Sequence, residues 1–170
     1  GQSNVQGACD LGGLPNVLPG YQPVTDAAKR QAVAHGWGLD ELPGENGLTV
    51  VEMMHAAVSR KVRAMYIMGE NPAMSDPDLS HAREALASLD WVVVQDIFPT
   101  ETASMADVIL PASAFAEKTG SFTNTDRMVQ LGRAVLAPPG QARQDLWILV
   151  QMARRLGLDW RYEEPGEVFE

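Results

Sequence analysis

Glycine, amide and acidic residues that could hold a polar ligand follow two short apolar segments of the sequence. These residues are Gly69, Glu70 and Asn71 after the first segment, and Gln95 and Asp96 at the end of the second. A glycine lets another molecule approach the backbone closely, and a carboxylate accepts hydrogen bonds from hydroxyl and N–H groups. The pattern therefore indicates recognition of a polar ligand such as a nucleotide, with a plain strand-to-helix connection as the alternative for the first segment.

The segments that carry these residues have the length of β-strands. Residues 64–68 predict a buried strand, 91–96 a second and 106–111 a third that ends at a proline. A helix is predicted after the first strand, with Asp76 as its N-cap and Pro77 at its first position. Because strands and helices alternate, we expect parallel strands whose carboxyl ends share one edge. An acid there suits ribose hydroxyls or the edge of a base, although Asp96 could instead only cap the next turn.

The remaining pattern predicts the fold class. A helix is predicted after Thr25 or Asp26, another at the Thr49…Glu52 capping box, and a last one capped by Asp145; residues 121–130 indicate a hairpin or irregular β segment. We predict an α/β fold, a three-layer domain with a mostly parallel sheet flanked by helices, Rossmann- or flavodoxin-like, plus an irregular Gly-rich N-terminal loop.

The domain organisation follows from composition. Residues 1–23 are rich in glycine and side-chain amides without a period, which predicts either a ligand-facing loop or a mobile terminus. Residues 24–144 are predicted to form the α/β domain, and residues 145–170 a C-terminal helix and the start of a further segment. Since the chain starts at Gly1 without Met, we expect a fragment of a larger subunit.

The net charge, the apolar runs and the cysteine count of the sequence argue against several classes of function. The 170 residues carry a formal charge of −9, which argues against nucleic acid or an anionic membrane as the main partner. No apolar run has the length of a membrane span. One cysteine allows no internal disulfide, so a cytoplasmic location is expected.

Residue spacing predicts no catalytic or metal site within the chain. His35, His55 and His81 are far apart and lack partners at ligand spacing, and Cys9 has no base beside it. Ser-elbow, Walker A and HExxH motifs are absent from the sequence. The residues alone therefore indicate an α/β domain of the nucleotide-binding type and no reaction.

Five segments in their order along the chain resemble a known family. They are Gly1–Asp10, Tyr66–Pro72, Val94–Ala103, Ala106–Pro111 and Phe122–Gln130. Together they resemble the molybdopterin-guanine-dinucleotide oxidoreductases, and within them most nearly the catalytic alpha subunits of formate dehydrogenases. The resemblance extends over nearly the whole chain. It departs from many relatives at Asn124–Arg127, where their Glu-Gly pair is missing.

The resemblance implies a set of cofactor-binding residues. The domain would hold one of two pterin guanine dinucleotides at its strand ends. Its residues would be Gln2 near the metal-side pterin, Gly69, Glu70 and Asn71 at the phosphate and ribose, Gln95 and Asp96 at the nucleoside, Ala112 through its backbone, and Asp145 at the guanine.

The resemblance also implies the chemistry of a whole enzyme. Such an enzyme oxidises formate to carbon dioxide at molybdenum or tungsten and passes electrons through an iron–sulfur cluster. The family's metal-ligating cysteine or selenocysteine and its cluster cysteines lie upstream of the matched region, and Cys9 does not match them. The expected partners are the rest of the alpha subunit and other formate dehydrogenase subunits, and the isolated chain is expected to be inactive.

Three alternatives remain open from sequence. The chain could belong to another member of the same family, such as a nitrate reductase. It could belong to a homologue without the cofactor, such as the large iron–sulfur subunit of respiratory complex I. It could also be a free-standing nucleotide-binding module.

Overall fold

The computed structural model describes residues 4–168 and divides the chain into two compact units. The first comprises the residues up to Met53 together with Phe122–Gln130. The second comprises Met54–Ser121 and the residues from Leu131 onward. Gln2, one of the expected cofactor ligands, lies outside the described residues.

The first unit contains short helices and a small antiparallel pair of strands. Its elements are α1 (Val5–Asp10), β1 (Val17–Leu18), β2 (Gln22–Pro23), α2 (Ala27–Gly36) and the beginning of α3 (Val50–Val58). The expectation of an N-terminal segment without regular structure is therefore wrong for α1, β1 and β2. The sequence did not predict α1 because the segment is rich in glycines and amides. Gly7 lies inside the helix, and a glycine in a helix interior is destabilising.

Both helix starts predicted in this unit are confirmed. Asp26 Oδ1 accepts the N–H groups of Ala28 at 3.0 Å and Lys29 at 3.2 Å, so it caps α2. At α3, the backbone N–H of Thr49 donates to Glu52 Oε2 at 2.7 Å, and the N–H of Glu52 donates to Thr49 Oγ1 at 3.4 Å. This reciprocal pair is the capping box that the spacing indicates.

The second unit is built on a parallel three-stranded sheet. In chain order its strands and helices are β3 (Ala64–Met68), α4 (Pro72–Ser75), α5 (Leu79–Ala87), β4 (Trp91–Asp96), β5 (Val108–Pro111) and α6 (Asp145–Arg155). The strand order is β3-β4-β5, with both pairs parallel. Outside this sheet, β6 (Gly120–Thr123) and β7 (Val129–Gly132), each of which has residues in both units, form a separate two-stranded sheet, as expected for that segment.

Helices cover both faces of the parallel sheet. One face carries the aligned residues Met65, Ile67, Val92 and Val94, which pack in two apolar clusters with Met54 and Ala57 of α3, Ala85 of α5, and Ala103. The opposite face carries Gln95, whose side chain donates to Asp145 at the start of α6. The α/β fold with a parallel sheet flanked by helices is confirmed.

Three local predictions are corrected. β3 is an outer strand whose side chains alternate between exposed and half-buried, and it is not a buried strand. Asp76 ends α4 and accepts the N–H of Asp78 at 2.9 Å, whereas Asp78 caps α5 through the N–H of His81 at 3.1 Å. Gln144 is the N-cap residue of α6, and Asp145 is its first helical residue.

None of the helices within residues 4–168 has the length and apolar character needed to cross a membrane.

Replacing Leu86 by Ala is expected to destabilise the chain by about 2–5 kcal/mol, because the side chain is 2% exposed in the core and its removal leaves a cavity. Leu79→Ala in the same helix, where the side chain is 37% exposed, is the matched control and should cost less than about 1 kcal/mol. Urea denaturation followed by circular dichroism measures both. Equal losses for the two variants would contradict the packing described for α5.

Candidate functional site

The three parallel strands end at one edge, which we call the strand-end edge. Met68 pairs with Gln95, and Asp96 pairs with Pro111. The backbone pairing continues past the strands, since the Gly69 N–H donates to the Gln95 carbonyl at 2.9 Å and the Ala112 N–H donates to the Asp96 carbonyl at 2.9 Å. The structure thus brings Gly69, Asp96 and Ala112 together, as the expected topology requires.

The surface around Gly69 is open. Gly69 has φ +65°, and no heavy atom lies within 4 Å of the position that a Cβ would occupy. This left-handed conformation is one that glycine adopts without the steric cost paid by other residues. Gly69 and the adjacent Glu70 are exposed. A ligand can therefore approach the backbone here without displacing a side chain.

Asp96 offers an acceptor at the same edge. Its side chain is half-buried, and Oδ1 accepts the N–H of Ile97 at 2.6 Å. This hydrogen bond holds the carboxylate at the turn that follows β4, which agrees with the alternative that Asp96 caps that turn. Oδ2 makes no hydrogen bond to the residues that the structure describes, so a ligand hydroxyl or N–H group can use it.

Asn71 is held by the segment that follows β4. Its Oδ1 accepts the backbone N–H of Thr102 at 3.1 Å and the Thr102 hydroxyl at 2.7 Å, while its Nδ2 donates to Glu101 Oε2 at 2.7 Å. The Thr102 hydroxyl, which is fully buried, also accepts the N–H of Ala73 at 3.0 Å. Most of the hydrogen-bonding capacity of the Asn71 amide is therefore used inside the protein.

The side chains of Gln95 and Asp145 lie close together and are hydrogen-bonded to each other. The Gln95 side chain is fully buried, and its Nε2 donates to Asp145 Oδ1 at 2.6 Å. The Tyr66 hydroxyl donates to Gln95 Oε1, and the Lys118 ammonium forms an ion pair with Asp145 Oδ2. Both ends of the Gln95 amide are occupied, so its side chain joins the sheet to α6.

Tyr66 and Lys118 are members of this network that the sequence did not reveal. Tyr66 lies two residues before Met68, the partner of Gln95 in the sheet register, and so projects to the same face. This is a signal that the strand register could have given. Lys118 lies 27 residues from Asp145 in the chain, and no local pattern points to the pair.

Two ionisable groups near the edge have shifted pKa values. Partial burial raises the pKa of the Tyr66 hydroxyl above its ordinary value of 10.0, and the charge of Asp145 raises it further. The hydrogen bond from Asn71 lowers the pKa of Glu101 below its ordinary value of 4.5, with its own backbone N–H and the charge of Arg83 adding to the effect. At neutral pH, Tyr66 is a donor and Glu101 is an anion.

Ser113 differs from the other buried polar residues. Gln95, Thr102 and Ser113 are the buried polar residues of the described part of the chain, and only Ser113 Oγ lacks a hydrogen-bond partner there. It follows Ala112 at the strand-end edge. A buried hydroxyl without a partner costs about 1–3 kcal/mol of desolvation, so within the described residues the Ser113 hydroxyl is not expected to add to stability.

Among residues 4–168, no group of three or more His, Cys, Asp and Glu side chains has the arrangement of a metal site. His55 and His81, distant in sequence, do bring their ring centroids to 4.5 Å of each other. Cys9 is free and half-buried.

The comparison with known proteins assigns the chain to a family. A family model described as "Molybdopterin oxidoreductase" matches residues 2–155. The chain belongs to the molybdopterin oxidoreductase family. The family name implies a molybdopterin cofactor, and the resemblance inferred from sequence is confirmed.

Relatives of this molybdopterin oxidoreductase chain include two formate dehydrogenases. It is 50% identical to the F420-dependent formate dehydrogenase subunit alpha of Methanocaldococcus jannaschii over 171 residues, 99% of this chain and 25% of that protein. It is 44% identical to formate dehydrogenase H of Escherichia coli over 170 residues, 100% of this chain and 24% of that protein. The chain thus spans about a quarter of the length of these relatives.

A solved structure shares the fold. Acetylene hydratase from Pelobacter acetylenicus matches with a TM-score of 0.61 and 26% identity, over 68% of this chain and 17% of that one. The fold of about two thirds of this chain therefore occurs within a longer chain.

Ser113→Ala is expected to leave the free energy of unfolding unchanged or to raise it by about 1 kcal/mol, because it removes a buried hydroxyl that has no partner. Ser88→Ala is the matched control. The Ser88 hydroxyl donates to the Ala85 carbonyl at 2.7 Å, and its loss should cost about 0.5–1.5 kcal/mol. Urea denaturation of both variants tests the difference, and a larger loss for Ser113→Ala would show that its hydroxyl is bonded.

Tyr66→Phe is expected to flatten the loss of stability at alkaline pH. Because folding raises the pKa of the Tyr66 hydroxyl, its contribution is complete below the ordinary value of 10.0 and disappears as the pH rises through the folded-state pKa. The free energy of unfolding, measured from pH 8 upward in both proteins, should fall less steeply above about pH 10 in the variant. Parallel curves would exclude the contribution of Tyr66.

Proposed function

We propose that this chain is the cofactor-binding domain of a formate dehydrogenase alpha subunit and holds the nucleotide part of a molybdopterin guanine dinucleotide at the strand-end edge. One observation carries the proposal. The open backbone at Gly69 and the Asp96 carboxylate lie at the same edge of three parallel strands, and Asp96 Oδ2 has no protein partner within residues 4–168. Crevices outside the carboxyl ends of parallel strands are where α/β proteins bind nucleotides.

The chemistry of the edge fits the nucleoside end of this cofactor. Guanine and ribose present N–H and O–H donors, and Glu70 and Asp96 present carboxylate acceptors, whereas the Glu101 carboxylate accepts the Asn71 amide. The Gly69 N–H already donates to Gln95, and a pyrophosphate would meet negative side chains at Glu70 and Asp96. We therefore infer that Asp96 and Glu70 accept hydrogen bonds from ribose or guanine, and that the phosphates are balanced by other groups.

The remaining expected ligands receive more limited roles. Ala112 would contribute through its backbone, since its side chain is buried and its N–H holds the Asp96 carbonyl. Gln95 and Asp145 would position the edge through their mutual hydrogen bond, and Asp145 would reach guanine only with an oxygen that it shares with Lys118. Gln2 remains a proposed ligand from the resemblance.

Within the whole enzyme, the contribution of this chain is binding and orientation. The bound cofactor supplies the molybdenum or tungsten centre at which formate is oxidised to carbon dioxide, with an iron–sulfur cluster bound elsewhere in the subunit. This chain fixes the nucleotide so that the reactive end is held at a constant position. The proposal draws on the formate dehydrogenase names of relatives at 50% and 44% identity. The isolated chain is predicted to show no turnover.

Asp96→Asn in the full-length subunit is expected to lower cofactor affinity about 10- to 100-fold, because one charge-assisted hydrogen bond is lost. Gly69→Ala should also lower it, since a methyl group enters the space where the ligand approaches. Gly38→Ala is the control: Gly38 has φ +68° and open surroundings, so it carries the same backbone strain away from the edge. Metal analysis together with guanine nucleotide released on denaturation measures cofactor content.

Equal cofactor content in Asp96→Asn, Gly69→Ala and the control would contradict the assignment of the edge. A wild-type subunit without pterin guanine dinucleotide would instead favour the homologue that has lost the cofactor.

A further inference from the structure

The segments that follow β3 and β4 are joined by one compact group of hydrogen bonds. Asn71, Ala73, Glu101 and Thr102 form it, and we call it the Asn71 clasp. Four bonds of 2.7–3.1 Å link residues about thirty positions apart in sequence. Between the end of β3 and the start of α5, the regular structure is the four-residue helix α4.

The clasp uses both functions of the Thr102 hydroxyl. The hydroxyl donates to Asn71 Oδ1 and accepts from the Ala73 N–H, and Thr102 is fully buried. A single atom, Thr102 Oγ1, is therefore hydrogen-bonded both to the Asn71 side chain and to the first turn of α4. Valine has nearly the same shape but can form neither hydrogen bond, so Thr102→Val separates the role of the hydroxyl from that of the side-chain volume.

Glu101 completes the clasp from the exposed side. Its carboxylate accepts the Asn71 Nδ2–H at 2.7 Å, a charge-assisted bond to an amide. With Oδ1 occupied by Thr102, this bond fixes which way the amide group points. Arg83, from α5, donates to the Ala73 carbonyl at 3.0 Å and places a positive charge near Glu101. The segment is thus held at Asn71 and again at Ala73.

We propose that Glu101 and Thr102 are positioning residues for nucleotide binding, because they clamp Asn71 and thereby keep Gly69 and Glu70 at the strand-end edge. This inference rests on the proposed function for its ligand, a guanine nucleotide. Glu101 and Thr102 do not contact the nucleotide in this proposal. They affect its binding only by holding the side-chain amide of Asn71.

The test compares variants that keep or remove each hydrogen bond in the full-length subunit. Glu101→Gln keeps an acceptor for Asn71, and Glu101→Leu removes it; Thr102→Ser keeps the hydroxyl, and Thr102→Val removes it. The rate at which pterin guanine dinucleotide is released on dilution gives the first measurement. Hydrogen–deuterium exchange of the Ala73 amide, detected by mass spectrometry, gives the second and needs no cofactor.

Glu101→Leu and Thr102→Val are expected to speed release at least about tenfold, while Glu101→Gln and Thr102→Ser stay within about threefold of wild type. Thr102→Val should also speed exchange at Ala73. In an Asn71→Ala background, Glu101→Leu should add nothing, because the action passes through the amide.

Two results would overturn the inference. One is release at the wild-type rate in Glu101→Leu and Thr102→Val. The other is an effect of Glu101→Leu that is as large with Asn71→Ala as without it. If the wild-type subunit contains no pterin guanine dinucleotide, the proposed function fails, while unchanged Ala73 exchange in Thr102→Val shows separately that the clasp does not hold the segment.

Discussion

Two backbone hydrogen bonds beyond the ends of the strands determine which residues meet at the strand-end edge. The Gly69 N–H reaches the Gln95 carbonyl, and the Ala112 N–H reaches the Asp96 carbonyl, each at 2.9 Å. They continue the parallel register one residue past each outer strand, so that three chain segments leave the sheet side by side. A shift of one residue would turn the side chains to the opposite faces and separate these groups.

The polar contacts of Gln95 depend on this register. A side-chain amide buried in a strand is costly unless both its donor and its acceptor are used. Here Tyr66 supplies the donor, Asp145 the acceptor, and Lys118 balances the charge of Asp145. The network therefore ties the central strand to the start of α6. It also explains why Asp145 does not cap its own helix, since both carboxylate oxygens are engaged elsewhere.

Local patterns predicted the local features of the fold well. The three strands follow from short apolar runs, and Asp26 and the Thr49–Glu52 pair cap their helices because capping involves residues only two or three apart. The start of α5 was misplaced because Asp76 and Asp78 compete for the same role, and only the turn geometry decides between them. The outer position of β3 depends on strand order, which no single segment encodes.

The sequence predicted where the residues of the candidate site lie in the fold, but it did not predict their hydrogen-bond partners. Alternating strands and helices were enough to bring Gly69 and Asp96 to one edge. The hydrogen-bond partners of Gln95 and Asn71 could not be predicted from sequence. These partners, Tyr66, Glu101 and Thr102, lie 29 to 31 positions away in the chain. Sequence thus identified residues near the edge, but it could not tell those available to a ligand from those, such as Gln95, that are satisfied internally.

The outer strand β3 has a consequence for handling the protein. Its five residues are uncharged, and within the described chain it pairs only with β4, so the backbone donors and acceptors of its other side remain available. An uncharged strand with one free side can recruit an extended segment of another molecule, and charged residues or prolines that would discourage this are absent between Ala64 and Met68. We therefore expect β3 to be an edge through which concentrated chains can add strands to one another, and a lysine at an outward-facing position of β3 to oppose this.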